Sequence, residues 1–288
     1  MRMAGMLYLC ATPIGNLEDI TFRALRILKE ADLVAAEDTR NSIRLFNHFD
    51  IKTPLTSYHE HNKTEKAYQL IEKMRKGQNV ALITDAGMPG ISDPGEELVR
   101  LCLEEGIKVT ALPGASACIT ALVMSGQKTR RFSFEAFLPR DKKERAEVLK
   151  EMAKDTRTMV VYEAPHHLSA TLKELNEALG DRSVTVCREI TKKFEEARKT
   201  SLAQAAAFYE TETPRGEFVL VIEGKDRKEI RKEEIASWEE LSVEEHMALY
   251  ENRGIDRKEA MKAVAKDRGI SKREVYAMLL QPDQSGSH

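Results

Sequence analysis

Short apolar runs alternate with helix-length amphipathic segments along most of this chain. The run at 80–84 precedes a helical segment at 96–105, and the run at 109–112 precedes a helix of small residues at 115–124. Strands that alternate with helices of this length are typical of a mostly parallel sheet with helices on both faces. The pattern therefore predicts an α/β fold.

The alternation starts again after residue 125, which indicates more than one domain. An aromatic strand at 131–139 opens the second series, and a strand at 216–224 closes it. The chain has 288 residues, which is long for a single hydrophobic core. We therefore expect one α/β domain at 1–125 and a second at 126–225.

The composition changes at residue 226. Residues 226–250 contain four basic and eight acidic side chains and no strand pattern. The segment that follows reads as helix, turn, helix, with Gly269 in place for a helix C-cap and Ser271 for an N-cap. We expect a small helical extension at 226–288 that is similar to a helix-turn-helix.

Composition and charge argue against several classes of protein. Hydrophobic residues make up 42% of the chain and charged residues 32%, as in soluble globular proteins, and the apolar runs are too short to span a membrane. Four cysteines without a CxxC pair favour buried, reduced thiols. The net charge of -2 does not by itself indicate a nucleic-acid-binding protein, so any such binding would depend on local basic patches. We expect a cytoplasmic protein without a membrane partner or a metal site.

The sequence TDAGMPGISDPG at 84–95 follows a predicted strand directly. It lacks the lysine of a P-loop and the GxGxxG of a dinucleotide site, and Asp85 and Asp93 would repel a pyrophosphate. Ligands of open α/β sheets nonetheless bind at the carboxyl ends of the strands. A ligand that joins cationic groups to an adenosine, such as S-adenosylmethionine, suits an acidic loop there. A tight turn with a capping aspartate is the alternative interpretation.

Eight motifs stand in a fixed order along residues 7–224: TPIGNLEDIT, AAEDTR, HEHN, TDAGMPGISDPG, LPGASA, YEAPHHL, REITK and GEFVLVIEG. This set closely resembles the ribosomal RNA small subunit methyltransferase I family, which has the tetrapyrrole methylase (class III methyltransferase) fold. The resemblance implies two α/β domains with a cofactor cleft between them, S-adenosylmethionine as cofactor, and a homodimer. It also implies 2'-O-methylation of a cytidine ribose in the decoding region of 16S rRNA, with the RNA or the small ribosomal subunit as partner and no DNA.

Two other functions stay open beside this one. Small-molecule tetrapyrrole methylases carry a GxGxGD-like first loop and an SGDP-like second loop, and this chain departs from both. The departure favours the RNA-modifying branch over a small-molecule methyltransferase of the same fold. A non-enzymatic nucleic-acid-binding protein that keeps the fold is the third reading.

The resemblance also assigns residues to the cofactor and to the reaction. A ribose hydroxyl is a poor nucleophile, and a positioned base is expected to add roughly 10²–10⁴-fold to the rate. Asp85 is the first candidate for that base, followed by Glu37 and Glu189, and its alternative role is to cap a turn. The positions that correspond to the cofactor site are Pro13, Asp85, Ala86, Gly87, Met88, Gly90, Ile91, Ala115, Ser116, Tyr162, Glu163 and Ile222.

Candidate contacts with the RNA are more dispersed. Residues 128–145 contain seven basic and three acidic side chains, and residues 253–281 contain eight basic and four acidic ones. Solvated helix faces and structural ion pairs are the alternatives for these cations. The individual substrate-binding candidates are Arg40, His59, Asn62, Arg140, Arg188 and Lys192. Asn16 or Asp19 is expected to cap the first helix, and His166 or His167 the helix that they precede.

Overall fold

The computed structural model describes residues 4–239 and 241–280. The strands within these ranges are β1 Met6–Cys10, β2 Leu33–Ala36, β3 Leu55–Ser57, β4 Val80–Ile83, β5 Lys108–Leu112, β6 Phe132–Phe137, β7 Thr158–Glu163, β8 Ser183–Arg188, β9 Glu196–Ser201 and β10 Phe218–Ile222. The helices are α1 Phe22–Glu30, α2 Thr39–His48, α3 Lys63–Arg75, α4 Gly95–Glu104, α5 Ala117–Met124, α6 Lys142–Lys154, α7 Leu168–Leu179, α8 Leu202–Thr211, α9 Arg227–Glu239, α10 Val243–Glu251, α11 Arg257–Arg268 and α12 Lys272–Leu280.

The first five strands form a parallel sheet in the order β3-β2-β4-β1-β5. Alternate residues of β4 belong to opposite faces. Val80 and Leu82 pack with α3 and α4, whereas Ala81 and Ile83 pack with α1 and α2. A parallel strand covered on both faces is apolar throughout, which is why β4 reads as a continuous apolar run. The predicted parallel sheet with helices on both faces is confirmed for this half of the chain.

The second sheet, in the order β6-β7-β10-β8-β9, is only partly parallel. β6 and β7 run parallel, whereas β10 is antiparallel to β7 and β8, and β8 is antiparallel to β9. The mostly parallel arrangement expected from the strands before residue 125 does not extend to this second sheet. No helix separates β8 from β9, so a short loop returns the chain in the opposite direction. The alternation of strands and helices does not reveal this reversal.

Helix α5 links the two sheets, because it follows β5 of the first sheet and packs on the second. Cys118, Ala121 and Leu122 share a core cluster with Val160 of β7 and Val221 of β10. Both sheets belong to one compact unit, Met1–Gly224, and Lys225–His288 forms another. The division expected at residue 125 lies inside the first unit, between its two sheets.

The second unit contains α9–α12 in its described part and has a small core of its own. Gly269, with a φ of 67°, ends α11 in the left-handed conformation. The Glu274 N–H donates to Ser271 Oγ at 3.2 Å, and the Ser271 N–H donates to the Glu274 carboxylate at 2.7 Å. The predicted caps are confirmed, and α11 and α12 follow one another across the turn at Gly269.

Two other predicted caps differ in the structure. Asn16 caps a short 3-10 helix, Leu17–Asp19, whereas the N-cap of α1 is Thr21, whose hydroxyl accepts the Ala24 N–H at 3.1 Å. His167 occupies the N-cap position of α7 but makes no capping hydrogen bond with its side chain. Short side chains with an oxygen atom reach the first-turn N–H groups, and an imidazole is not among the favoured caps.

The four cysteines are buried and free, as the sequence predicts. None of the helices in the described ranges is long and apolar enough to cross a membrane.

Candidate functional site

A cavity of about 460 Å³ lies at the carboxyl edge of the first sheet and reaches the second. Ligand sites in proteins commonly measure about 300–1,000 Å³. The walls come from the loops after β2 and β4, the start of α5, the end of β7 and the start of β10. The lining residues are Ile14, Glu37, Thr84, Asp85, Ala86, Gly87, Met88, Ile91, Ser92, Asp93, Ser116, Ala117, Phe137, Tyr162, Glu163, Ala164, Pro165, Ile190, Glu217, Phe218 and Val219.

The acidic loop after β4 takes its shape from Asp93. The Asp93 carboxylate accepts the N–H of Gly90 at 2.8 and 2.9 Å, that of Ile91 at 3.1 Å and that of Gly95 at 2.8 Å. Gly87 and Gly90 have φ values of 86° and 85°, where a side chain is disfavoured. Of the two aspartates in this loop, Asp93 therefore has its carboxylate engaged by the N–H groups of the loop's own backbone.

A backbone bridge fastens this loop to the loop after β1. The Thr12 N–H donates to the Gly87 carbonyl at 3.0 Å, and the Gly87 N–H donates to the Thr12 carbonyl at 3.1 Å. The Thr12 hydroxyl also donates to the Thr84 carbonyl at 3.1 Å. A Cβ at residue 87 would lie 3.3 Å from Ile14 Cγ2 and 3.5 Å from the Ala115 carbonyl oxygen. Glycine at this position lets three loops meet.

Glu37 and Asp85 bring two carboxylates to the same cavity. Asp85 accepts the Asp38 N–H at 3.2 Å and the Asn41 side-chain amide at 2.9 Å. Burial raises the pKa of Glu37, and the negative charge of Asp85 raises it further. Asp85 is therefore an exposed carboxylate held by two donors, whereas Glu37 is a half-buried one that binds a proton more tightly than usual.

The start of α5 forms another wall of the cavity. Ser116 is the N-cap residue of α5 and lines the cavity without a capping hydrogen bond from its side chain. The Cys118 N–H donates to the Tyr162 hydroxyl oxygen at 2.9 Å, which ties α5 to β7. Burial raises the pKa of Tyr162 to about 12, so the phenol stays protonated. A helix N-terminus at a cavity favours a carboxylate or another anion.

The second sheet contributes a buried glutamate and aromatic rings. The Glu163 carboxylate accepts the Ala164 N–H at 2.7 Å and the Thr171 hydroxyl at 2.5 Å. The Tyr162 ring meets those of Phe134 and Phe137 at centroid distances of 4.9 and 5.7 Å. Glu163 is held by these donors, and Phe137 is the exposed ring at this end of the cavity.

The structure brings most of the expected cofactor residues together at this cavity. Those that line it are Asp85, Ala86, Gly87, Met88, Ile91, Ser116, Tyr162 and Glu163. Gly90 and Ala115 are chain neighbours of lining residues, and Pro13 lines a smaller cavity of about 180 Å³ that shares Thr84 and Asp85.

Ile222 differs from its expected place, because it is fully buried in the core of the second sheet. Glu217, Phe218 and Val219 line the cavity instead, and the sequence reasoning did not select them. β10 is antiparallel to β7, so its start, rather than its end, lies beside the carboxyl end of β7. The motif GEFVLVIEG marks the strand but not its direction.

Glu189 is the third candidate base, and it is tied into an ion-pair network. Its Oε1 accepts Lys192 Nζ at 3.0 Å and the Glu217 N–H at 3.0 Å, and Lys192 also binds the Glu217 carboxylate at 2.7 Å. Burial alone would raise the pKa of Glu189, but the bonds from Lys192 and Glu217 outweigh it and lower the pKa. This geometry favours the structural ion-pair alternative for Lys192, and it places Glu189 in the same network.

The remaining substrate candidates do not line the cavity. Arg40 is exposed at the start of α2 and pairs at 2.7 Å with the aspartate two residues before it. The His59 N–H donates to Asn62 Oδ1 at 2.9 Å, which closes their own turn. Arg188 lies 3.9 Å from a carboxylate oxygen of β9, and Arg140 is exposed after β6. In the part of the chain that the structure describes, no group of three His, Cys, Asp or Glu side chains is placed to hold a metal ion.

Comparisons with known proteins agree with this architecture. The family of Tetrapyrrole (Corrin/Porphyrin) Methylases matches residues 6–206. The chain is 50% identical over 272 residues to ribosomal RNA small subunit methyltransferase I of Halalkalibacterium halodurans, a match that covers 94% of this chain and 93% of that protein. The protein of the same name from Bacillus subtilis is 47% identical over 272 residues, with the same coverage of 94% and 93%.

Two solved structures share the fold at low identity. Diphthine synthase superimposes with a TM-score of 0.60 at 15% identity, over 76% of this chain and 90% of that chain. Uroporphyrin-III C-methyl transferase from Thermus thermophilus, complexed with S-adenyl homocysteine, gives a TM-score of 0.56 at 19% identity, over 75% and 97%.

Proposed function

Because this chain belongs to the ribosomal RNA small subunit methyltransferase I family, within the tetrapyrrole methylases, we propose that it methylates small-subunit ribosomal RNA with S-adenosylmethionine. The acceptor is the 2'-oxygen of a cytidine ribose in the decoding region of 16S rRNA. The observation that carries the proposal is the cavity of about 460 Å³ that joins an acidic loop to a helix N-terminus. A cytoplasmic location and a homodimer are part of the same proposal, and light scattering on the purified protein tests the homodimer.

The chemistry of the cavity walls fits the proposed cofactor, which carries two cationic groups, one carboxylate and an adenosine. The carboxylates of Glu37 and Asp85 favour cationic groups near them. The N-terminus of α5 at Ser116 favours a carboxylate. When bound, S-adenosylmethionine supplies a methyl group on a sulfonium that leaves as a neutral thioether.

We assign Glu37 as the proton acceptor for the ribose hydroxyl. Burial and the charge of Asp85 raise the pKa of Glu37, so its ionised form is a stronger base than an ordinary glutamate. Both carboxylate oxygens of Asp85 accept hydrogen bonds, one from the Asp38 N–H and one from the Asn41 side-chain amide. We assign Asp85 the role of keeping the pKa of Glu37 raised through its negative charge. The order of candidates is therefore reversed from the sequence-based one, in which Asp85 came first.

The decisive experiment is methyl transfer to small ribosomal subunits from cells that lack this enzyme. Purified protein is incubated with the subunits and methyl-labelled S-adenosylmethionine. A base-specific nuclease then gives fragments that locate the label, and digestion of the labelled fragment to nucleosides identifies the modified nucleoside by mass spectrometry. We expect label in 2'-O-methylcytidine at a single position. Label on a base instead of a ribose contradicts the proposed acceptor, and label that enters only an added tetrapyrrole favours a small-molecule methyltransferase.

A further inference from the structure

A bulge in β6 directs Phe137 to the cavity. The pairing of β6 with β7 is regular as far as Phe134 and then shifts, so that Phe137 pairs with Tyr162 and Glu135 is the extra residue. Successive side chains of a strand point to opposite faces, and one extra residue reverses the face of every side chain after it. Without the bulge, Phe137 would lie on the opposite face from Phe134. With it, both rings share the face of Tyr162.

The bulge is accompanied by backbone strain at Ala136. This residue has a φ of 51°, in the left-handed region that favours glycine. Strain of this kind persists where the surrounding structure imposes it, and it clusters at functional sites. Here the strained residue immediately precedes the ring that it redirects.

Phe137 has no stacked partner within residues 4–239 and 241–280. Phe137 is 56% exposed although it lines the cavity. It meets the Tyr162 ring at 67°, so the two rings are not parallel. Tyr162 is the inner ring, fixed by the Cys118 N–H, and Phe137 is the outer one. An exposed ring at the edge of a ligand cavity suits a flat partner.

Cations follow Phe137 closely in the chain. Arg140, Lys142 and Lys143 are all exposed, and the two lysines stand in the first turn of α6, which Asp141 caps. Exposed aromatic rings combined with cations are the features by which proteins bind unpaired nucleotides, through stacking on the base and attraction to the phosphate.

We propose that Phe137 is the platform on which the nucleobase of the target nucleotide stacks while its ribose enters the cavity. This inference rests on the proposed function. Phe137 and Glu37 line the same cavity from different sheets, so the first holds the base and the second faces the sugar. The partner is an unpaired RNA nucleotide, because a base inside a duplex has no free face to offer.

The test compares Phe137→Ala, Phe137→Leu and Phe137→Trp with the unaltered enzyme on the small subunits described above. KM and kcat are measured for the subunits, and calorimetry gives the Kd of S-adenosylhomocysteine. We expect Ala and Leu to raise KM by about 10- to 100-fold, as for loss of a stacked base, and Trp to stay within about threefold. The Kd should change by less than about twofold in every variant. Leucine fills space without offering a flat ring, so it separates stacking from packing.

A matched control is Phe22→Ala, because Phe22 is 93% exposed on α1 and does not line the cavity. It should leave KM unchanged. If the Phe137→Leu variant keeps the KM of the unaltered enzyme, Phe137 is not a stacking platform for the base. The same conclusion follows if the Kd of a Phe137 variant for S-adenosylhomocysteine rises as much as its KM. An unaltered enzyme that fails to methylate the RNA refutes the proposed function itself. If the unaltered enzyme is active but substitutions of Phe137 leave KM unchanged, only the stacking role of Phe137 is refuted.

Discussion

Glu37 and Asp85 are two carboxylates of one cavity that differ in their surroundings. Glu37 is half-buried beside a second negative charge, whereas Asp85 is exposed and accepts two hydrogen bonds. Proton transfer needs a base that is ionised at the working pH and yet binds a proton well. Glu37, whose pKa is raised by burial, is our candidate for that base.

Replacement of Glu37 tests its assignment as the base. We expect Glu37→Gln to lower kcat by roughly 10²–10⁴-fold while the Kd of S-adenosylhomocysteine changes little. In the unaltered enzyme, kcat/KM should rise with pH through a midpoint above the usual pKa of a glutamate, because burial and Asp85 raise the pKa. Single-turnover rates at subsaturating RNA, over a pH range that begins below the usual glutamate pKa of about 4.3, measure this midpoint. Asp85→Asn should move it to lower pH, and an unmoved midpoint contradicts the coupling.

The same pKa shift predicts an effect on folding. Glu37 binds a proton more tightly in the folded chain than in the unfolded one. Its contribution to stability is therefore fully present below the unfolded pKa and is lost as the pH rises through the raised folded pKa. At pH 7 we expect Glu37→Gln to have a higher free energy of unfolding in urea than the unaltered protein. A lower value argues against the raised pKa.

The left-handed backbone at Ala136 predicts that glycine at this position would relieve strain. Glycine at this position removes a left-handed penalty of roughly 1–2 kcal/mol, and it adds roughly 0.5–1 kcal/mol of backbone entropy cost. We expect Ala136→Gly to unfold at the same urea concentration as the unaltered protein or a slightly higher one. Ala136→Val, with a branched side chain at the same φ, should unfold at a lower one. If valine is tolerated as well as glycine, the bulge is not strained in solution.

At the scale of elements, the loop after β4 is a short segment whose geometry depends on one side chain. Asp93 accepts the N–H groups of Gly90, Ile91 and Gly95. We expect Asp93→Ala to cost about 1–3 kcal/mol of unfolding free energy and to weaken S-adenosylhomocysteine binding in calorimetry. Asp93→Asn keeps one acceptor oxygen, so its free energy of unfolding should lie between those of Asp93→Ala and the unaltered protein. An alanine variant that binds normally would mean that the loop does not need this anchor.

The sequence predicts elements whose determinants are close neighbours. The apolar run of β4 and the caps at Gly269 and Ser271 are local, and they were correct. The direction of β10 and the bulge before Phe137 were not predictable in this way, because both are defined only by pairing with β7. Three of the cavity residues that the sequence missed, Glu217, Phe218 and Val219, lie at the start of β10, and their place follows from the direction of that strand.

On the scale of the whole molecule, the two compact units have separate cores, and the second contains a buried histidine. His246 is fully buried, its Nδ1 accepts Arg268 Nε at 3.1 Å, and its ring stacks with those of Trp238 and Tyr250. Burial lowers the pKa of His246, and the nearby Arg268 charge lowers it further. The neutral histidine therefore belongs to the folded state of this unit.

This histidine should make the second unit sensitive to acid. Since the folded pKa is lowered, its contribution to stability is present above the unfolded pKa and is lost as the pH falls through that value, about 6.5, towards the folded pKa. Trp238 is the only tryptophan of the chain, so its fluorescence reports on this unit. We expect its urea midpoint to drop between about pH 7.5 and pH 5.5.

Two variants provide the controls for this acid effect. His246→Phe keeps a ring without a titrating group and should reduce the drop, whereas the exposed His61→Phe should keep it. Equal pH dependence in both variants assigns the effect to other groups.

The bridge between Thr12 and Gly87 consists of main-chain atoms alone. Proline is the one replacement at Thr12 that would remove its N–H, and no replacement removes its carbonyl. Other substitutions at this position therefore leave the backbone bridge between the two loops in place. A saturation library at these two positions should find residue 87, whose φ of 86° disfavours a side chain, less tolerant than residue 12. The joining of these two loops therefore depends on the backbone conformation at residue 87 more than on the side chain at residue 12.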